Sequence, residues 1–164
     1  MSRLRFMVLL LLVLSSACGY QLRGEARLPP AMAETWLAVP DRSSPFAREL
    51  SLRLRANDVE IVDQPGERSA VLRIHSERMR SEPLTISGQA RVREFVLIFD
   101  LEFELLDADG EVLIEREGLR LTREYSFDEQ AILAASREEE FLRADLREAM
   151  VSTLLRRLEA MPTR

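Results

Sequence analysis

The chain has 164 residues, 46% hydrophobic and 31% charged, with a formal net charge of −5, which is the composition of one ordinary globular domain and not of a disordered chain. No apolar run reaches the ~18–20 residues of a spanning helix, so a multi-pass membrane protein is excluded. One Cys excludes an internal disulfide framework and a Cys-based zinc cage, one His (His75) excludes multi-His metal sites, and the complete absence of Lys removes Schiff-base chemistry and a phosphate-loop lysine. These absences argue against an enzyme.

Residues 1–17 read as an export signal. Arg3 and Arg5 form a basic start, Phe6 to Leu14 an apolar core, and Ser15-Ser16-Ala17 a small-residue cleavage region. Cys18, the only Cys, follows at once. Small residues leading into one Cys resemble a bacterial lipobox, in which the Cys takes a diacylglycerol thioether and an acyl chain and becomes the first residue. The other reading is a soluble secreted protein cut near Ala17 with a free thiol. Removing the signal removes Arg3 and Arg5 and no acid, leaving 21 of the 23 arginines against 28 Asp and Glu. Such a chain is a poor nucleic-acid binder. Membrane attachment is then expected from the lipid, since a stable anchor takes at least two chains.

Residues 18–33 read as an acylated leader with Gly24, Pro29 and Pro30. Residues 34–164 read as a single domain. Thr35–Val39 is a short apolar strand closed by Pro40, and Trp36 within it is expected to be buried. Ser43-Ser44-Pro45 starts a helix, with a hydroxyl cap and Pro in the first turn. Phe46, Leu50 and Leu54 form its buried stripe, and Asn57 is a left-handed stop. Val59–Val62 is short and ambiguous. Ala70–Arg80 alternates, with Ala70, Leu72 and Ile74 inward and Arg73, His75 and Glu77 outward. Gln89–Leu106 carries Phe95, Leu97, Phe99, Leu101, Phe103 and Leu105 at period two, a long half-buried strand. Asp107-Ala108-Asp109-Gly110 is a hairpin turn. The returning strand changes parity between Ile114 and Leu119, which needs an extra residue, and Gly118 is the expected bulge. Asp128–Ala135 reads as a short helix or ordered loop. A long helix then runs from Arg137 to about Ala160, with Ser136 as its cap, Glu138–Glu140 in its first turn and Leu142, Leu146, Met150, Leu154 and Leu158 at i+4 steps.

The order strand, helix, three antiparallel strands, helix predicts an α+β fold. It is a two-layer α/β sandwich, with a mainly antiparallel sheet of about four strands and both helices on one face. The other face, with Arg73, Glu102 and Glu104, is either wet or a partner surface.

Cys18-Gly19-Tyr20-Gln21-Leu22-Arg23-Gly24 resembles the C-G-[aromatic]-x-L-R-G start of the LptE family. So do Ser87-Gly88-Gln89 leading into the long strand, Arg123-Glu124-Tyr125-Ser126-Phe127 after the last strand, and the element order. The resemblance implies an outer-membrane lipoprotein, lipid-anchored through Cys18 on the periplasmic side. It implies a plug that helps assemble the LptD β-barrel and assists lipopolysaccharide insertion. Gly19, where inner-membrane lipoproteins tend to carry Asp, agrees with that destination. No catalytic set, metal site or cofactor is expected beyond the covalent lipid, and no nucleic acid. A different class of reading is a lipid-binding auxiliary lipoprotein of another envelope transport system.

Arg91 and Arg93, beside the Leu84–Gly88 loop, are candidates to grip lipid A phosphates by charge-assisted bonds; the alternative is that they cap the strand end in water. The resemblance also points to basic residues near this loop and in the later connection. Ile86 stands where one is expected before Ser87, and Arg123 and Arg137 are the nearest candidates later on. His75 reads as a solvated residue, and the Phe95/Phe99/Phe103 stripe as core.

Overall fold

The computed structural model describes residues 28–86, 92–127 and 132–161. A 3₁₀ turn at Pro30–Met32 leads into β1 (Glu34–Ala38), α1 (Pro45–Arg55), β2 (Glu60–Val62), β3 (Ala70–Ile86), β4 (Val92–Leu106), β5 (Val112–Ser126) and α2 (Ile132–Glu159). The sheet has five strands in the order β2-β1-β3-β4-β5, one more than the sequence suggested. The extra strand is the ambiguous segment at 59–62, which pairs parallel with β1 through three residues. β1 also runs parallel to β3, while β3–β4 and β4–β5 are antiparallel. The mixed α+β sandwich stands. Among the described residues no helix is long and apolar enough to cross a membrane.

Alternation along β4 fixes the layers. Leu97, Phe99, Leu101, Phe103 and Leu105 are almost wholly buried against both helices. Phe46 of α1 meets Phe99 edge-on, with ring centroids 5.6 Å apart. Ser44 caps α1, accepting from the Ala47 N–H at 3.0 Å, and Pro45 holds the first helical position as predicted. Phe46, Ala47, Leu50 and Leu54 are the buried side of α1. The left-handed residue after α1 is Asp58, at φ 60°, and not Asn57. Asn57 instead turns its amide back onto the Arg53 carbonyl at 2.7 Å, and the backbone reversal falls one residue later.

α2 is one helix of 28 residues, about 42 Å long. It begins at Ile132 among the described residues, so Ser136 lies inside it and does not cap it. Glu138–Glu140 accordingly fall beyond its first turn. Residues 128–131, part of the expected short helix or loop, lie outside the described residues. Leu146, Met150, Leu154 and Leu158 are buried as the i+4 pattern requires, and Leu142 packs at the margin. Arg53–Glu148 at 2.8 Å ties α1 to α2, and Arg157–Glu117 at 2.7 Å ties α2 to β5.

Two bulges change which residues face the helices. In β3 the register shifts between Ile74 and Ser76, so Glu77 falls opposite Leu101 on the helix-covered face, contrary to the simple alternation. Its carboxylate accepts from the Ser44 hydroxyl at 2.9 Å. Burial and the nearby Asp41 push its pKa up, against the Ser44 bond and Arg147. In β5 the extra residue lies between Ile114 and Glu117. Gly118 pairs regularly with Glu102, so it is not the bulge. The hairpin is as expected: the Asp107 carboxylate accepts from the Asp109 and Glu111 N–H groups, each at 2.9 Å, and Gly110 takes φ 84°.

The opposite face of the sheet is covered by neither helix. There the β4 acids are paired to arginines on β3 and β5. Asp100 binds Arg80 and Arg120, Glu102 binds Arg116, and Glu104 binds Arg73 and His75, the last at 3.2 Å. The Arg120 bond, with Arg80, holds the Asp100 carboxyl low against burial, and Arg116 does the same for Glu102. For Glu104 burial is the largest effect and pushes upward, but His75 and Arg73 together outweigh it. Trp36 lies on this face and is half-buried; Thr35 and Leu37 are the β1 residues in the core.

Two predictions follow from this packing. Phe99→Ala or Phe103→Ala should cost about 3–5 kcal/mol in urea unfolding, whereas Gly118→Ala should change stability by under about 1 kcal/mol, because the added methyl meets only the Leu101 carbonyl at 3.9 Å. The acids also differ in sign. Asp100, Glu102 and Glu104 have lowered folded pKa values, so their stabilisation is fully present above the unfolded carboxylate range and is lost as pH falls below it through the folded values. Glu77 has a raised value, so its penalty stands at pH 7 and is relieved as pH falls toward 4.5, its ordinary value. Glu77→Gln should therefore be more stable than wild type at pH 7, and the gap should close on acidification; thermal melts at pH 7, 5.5 and 4.5 read this directly.

Candidate functional site

β1 pairs with β3 only from Ala70 to Arg73. Beyond that point β3, β4 and β5 run on together, with register continuing to Ile86 opposite Val92 and to Ser126 opposite Glu94. The first turns of α2 begin at the same end. Of the sequence-predicted arginines, Arg123 lies on this stretch of β5 and Arg137 in the first turns of α2.

Its inner side is aromatic. Phe95 stacks on Tyr125 at 5.4 Å and 20°, and meets Phe127 edge-on at 5.9 Å and 79°. The Tyr125 hydroxyl lies 3.1 Å from Ser81 Oγ, joining β5 to β3 across β4. Burial raises the Tyr125 pKa, so the phenol stays neutral. Its rim is apolar and open: Leu84 on β3 and Ile132, Leu133 and Phe141 on α2 are all at least half exposed. Large apolar groups gathered at one end of a fold mark a contact surface.

Arg123 lies on the helix-covered face of β5. Its guanidinium donates to Asp145 of α2 at 2.9 Å and to the Thr122 carbonyl at 3.1 Å, so it clamps α2 to the sheet. Arg137 is exposed on α2 and makes no ion pair among the described residues. It sits eight residues before Asp145, about 12 Å along the helix, between Leu133 and Phe141 on the i+4 row. Arg93 belongs to β4, but its side chain lies outside the described residues, as do Arg91 and Cys18 entirely. His75 is paired with Glu104 on the uncovered face, far from this end. The described arginines are thus divided, with Arg123 structural and Arg137 available. The aromatic trio and the apolar rim were not foreseen. Phe95 and Tyr125 become neighbours only through the β4–β5 register, and Phe141 is one residue out of step with the buried Leu142–Leu146 stripe. An available guanidinium between exposed apolar side chains can meet an amphipath with an anionic head and apolar tails. Among the described residues no cluster of His, Cys, Asp or Glu could hold a metal.

Residues 34–158 match the family LptE, described as Lipopolysaccharide-assembly. The LPS-assembly lipoprotein LptE of Yersinia enterocolitica is 26% identical over 160 residues, covering 95% of this chain and 76% of that one. That of Pectobacterium atrosepticum is 28% identical over 158 residues, covering 95% and 85%. Among solved structures, the lipoprotein B of Nitrosomonas europaea superposes with a TM-score of 0.73 at 27% identity, covering 87% of this chain and 91% of that one. The rare lipoprotein B of Shewanella oneidensis gives 0.67 at 27% identity, covering 76% and 92%.

The division of the arginines is measurable in the isolated domain. Tyr125→Phe should lose about 1 kcal/mol with the Ser81 bond. Arg123→Ala should lose up to about 1 kcal/mol, since that pair is partly exposed. Arg137→Ala should stay within about 0.5 kcal/mol of wild type. Urea titration of the three variants ranks them.

Proposed function

This chain belongs to the LptE lipopolysaccharide-assembly family, and from that premise we propose that it is a non-enzymatic outer-membrane lipoprotein, anchored through acylated Cys18 on the periplasmic side, that plugs and helps assemble the LptD β-barrel and assists lipopolysaccharide insertion at the cell surface. The observation that carries this reading is the family match across nearly the whole domain, residues 34–158. The far end of the sheet supplies a fitting chemistry. Lipopolysaccharide presents phosphates and acyl chains together. Arg137 offers a charge to the first, and Leu133 and Phe141 offer apolar surface to the second. Arg91 and Arg93 are further candidates for the phosphates. Arg123 contributes by holding α2 in place.

The mechanism is positional. A three-stranded arm backed by a long helix carries the amphipathic end away from the short-stranded end, where the leader meets β1. With the lipid fixing the leader in the membrane leaflet, the arm determines how far from that leaflet the amphipathic end acts.

Tagged full-length chain, extracted from outer membranes of its own host in mild detergent, should bring down a large β-barrel near one-to-one, identified by mass spectrometry. An inner-membrane transporter in its place sinks the plug reading and favours the auxiliary-lipoprotein one. Within the complex, the double variant Arg137→Ala, Leu133→Asp should weaken lipopolysaccharide binding by about tenfold with an unchanged melting temperature.

A further inference from the structure

β2 is the outermost strand of the sheet and pairs only with β1. Glu60 donates its N–H to the Ala33 carbonyl at 2.8 Å. Parallel pairing alternates along a strand, so the next residue, Ile61, turns its N–H and C=O to the outer edge. Beside this edge α1 presents Ala47, Ser51 and Arg55 on one i+4 row. The Ser51 hydroxyl is spent on the Ala47 carbonyl at 2.8 Å. Two small side chains on that row do not fill the space between helix and strand. A cleft of about 180 Å³ remains, walled by Leu37, Val39 and Ile61.

The rim of the cleft is charged, with Arg42, Arg55 and Asp63. Arg42 donates to the Asp63 carbonyl at 3.1 Å, and its guanidinium stands 3.9 Å from the fully exposed Asp63 carboxylate. Arg55 is exposed, and its guanidinium makes no ion pair or hydrogen bond among the described residues. Asp58 and Asp63, the acids on the adjoining segments, do not pair with it.

We propose that this cleft binds the C-terminal end of an extended peptide chain. The last side chain, apolar and of medium size, fills the cleft. The terminal carboxylate meets Arg55, with Arg42 beside it, and the peptide backbone pairs with the free edge of β2 at Ile61. Three observations carry this. The volume is below the ~300 Å³ at which small-molecule sites begin, and it suits one apolar side chain. A groove between a helix and a free strand edge offers main-chain hydrogen bonds to an added strand and a pocket for one of its side chains. The rim holds two cations against one acid, so it selects a carboxylate. A free phosphate leaves both the apolar walls and the strand edge unused, and an acyl chain of membrane-lipid length is longer than the cleft can hold. The cleft lies at the opposite end of the sheet from Arg137 and Phe141, so this inference stands apart from the lipopolysaccharide reading.

The test uses the full-length lipoprotein in detergent. It is incubated with a pool of synthetic tetrapeptides of degenerate sequence with free C-terminal carboxylates, and separately with the same pool amidated. Retained peptides are identified by mass spectrometry. Free acids ending in Val, Leu, Ile or Phe should be enriched about tenfold over their amides. Ser51→Phe fills the cleft and Arg55→Gln removes the unmatched charge. Both positions lie outside the core, so both variants should melt within a few degrees of wild type and lose the enrichment. No enrichment from either pool, equal retention of acids and amides, or undiminished binding by Ser51→Phe overturns the site. Free acids retained without preference for an apolar last residue, and displaced by inorganic phosphate, overturn the peptide reading in favour of a plain anion site.

Discussion

Five alternate side chains of β4, from Leu97 to Leu105, are almost completely buried, and every other element is placed by the need to cover them. A face of that length cannot be closed by one short helix. α1 covers the end near β1, where Phe46 reaches Phe99, and α2 runs alongside β5. At 28 residues α2 is long because the strands are long. The same demand explains why β1 and β2 can be short. They extend the sheet only where α1 needs a floor, through Leu37 and Ile61. Beyond Arg73 the sheet narrows to three strands, and the arm that results is what carries the amphipathic end.

Much of this was legible because the signals were local. The period-two run of β4, the Ser44–Pro45 start of α1, the Asp107–Gly110 hairpin and the i+4 leucines of α2 each depend on neighbours in sequence. What could not be read was register. A bulge moves every later residue to the other face, and its position is set by partners on another strand. The parity change in β5 is visible in the sequence and glycine is the permissive residue near it, yet the structure spends the extra residue between Ile114 and Glu117 and not at Gly118. In β3 no composition signal marks the bulge near His75, so alternation alone points Glu77 to water, whereas it lies under the cap of α1. β2 escaped for a simpler reason: three residues carry too little pattern to choose between strand and turn.

The candidate site divides along the same line. Arg123 and Arg137 stood out by residue type and by position in a connection. Their roles separate only in three dimensions, since Asp145 is 22 residues from Arg123 in sequence and 2.9 Å away in space. Tyr125 likewise gains its meaning from Phe95 and Ser81, which belong to two other strands. A cation that closes an internal pair is unavailable to a ligand without breaking that pair, and an exposed cation beside exposed apolar groups is not. Exposure and partnership, and not the presence of an arginine, therefore decide which residue of a basic set can act.

That criterion has a consequence for the sheet as a whole. All cations of the chain are arginines, whose guanidinium groups can serve two acceptors at once, and on the open face Arg73, Arg80, Arg116 and Arg120 bridge the β4 acids Asp100, Glu102 and Glu104. The paired stretch of that face resists apolar contact, because each pair keeps its hydration demand. The helix side of the sheet is spent on folding. The far end and the open face keep the residues that folding does not use. A single mixed sheet in this way separates the residues that hold the fold from those left exposed.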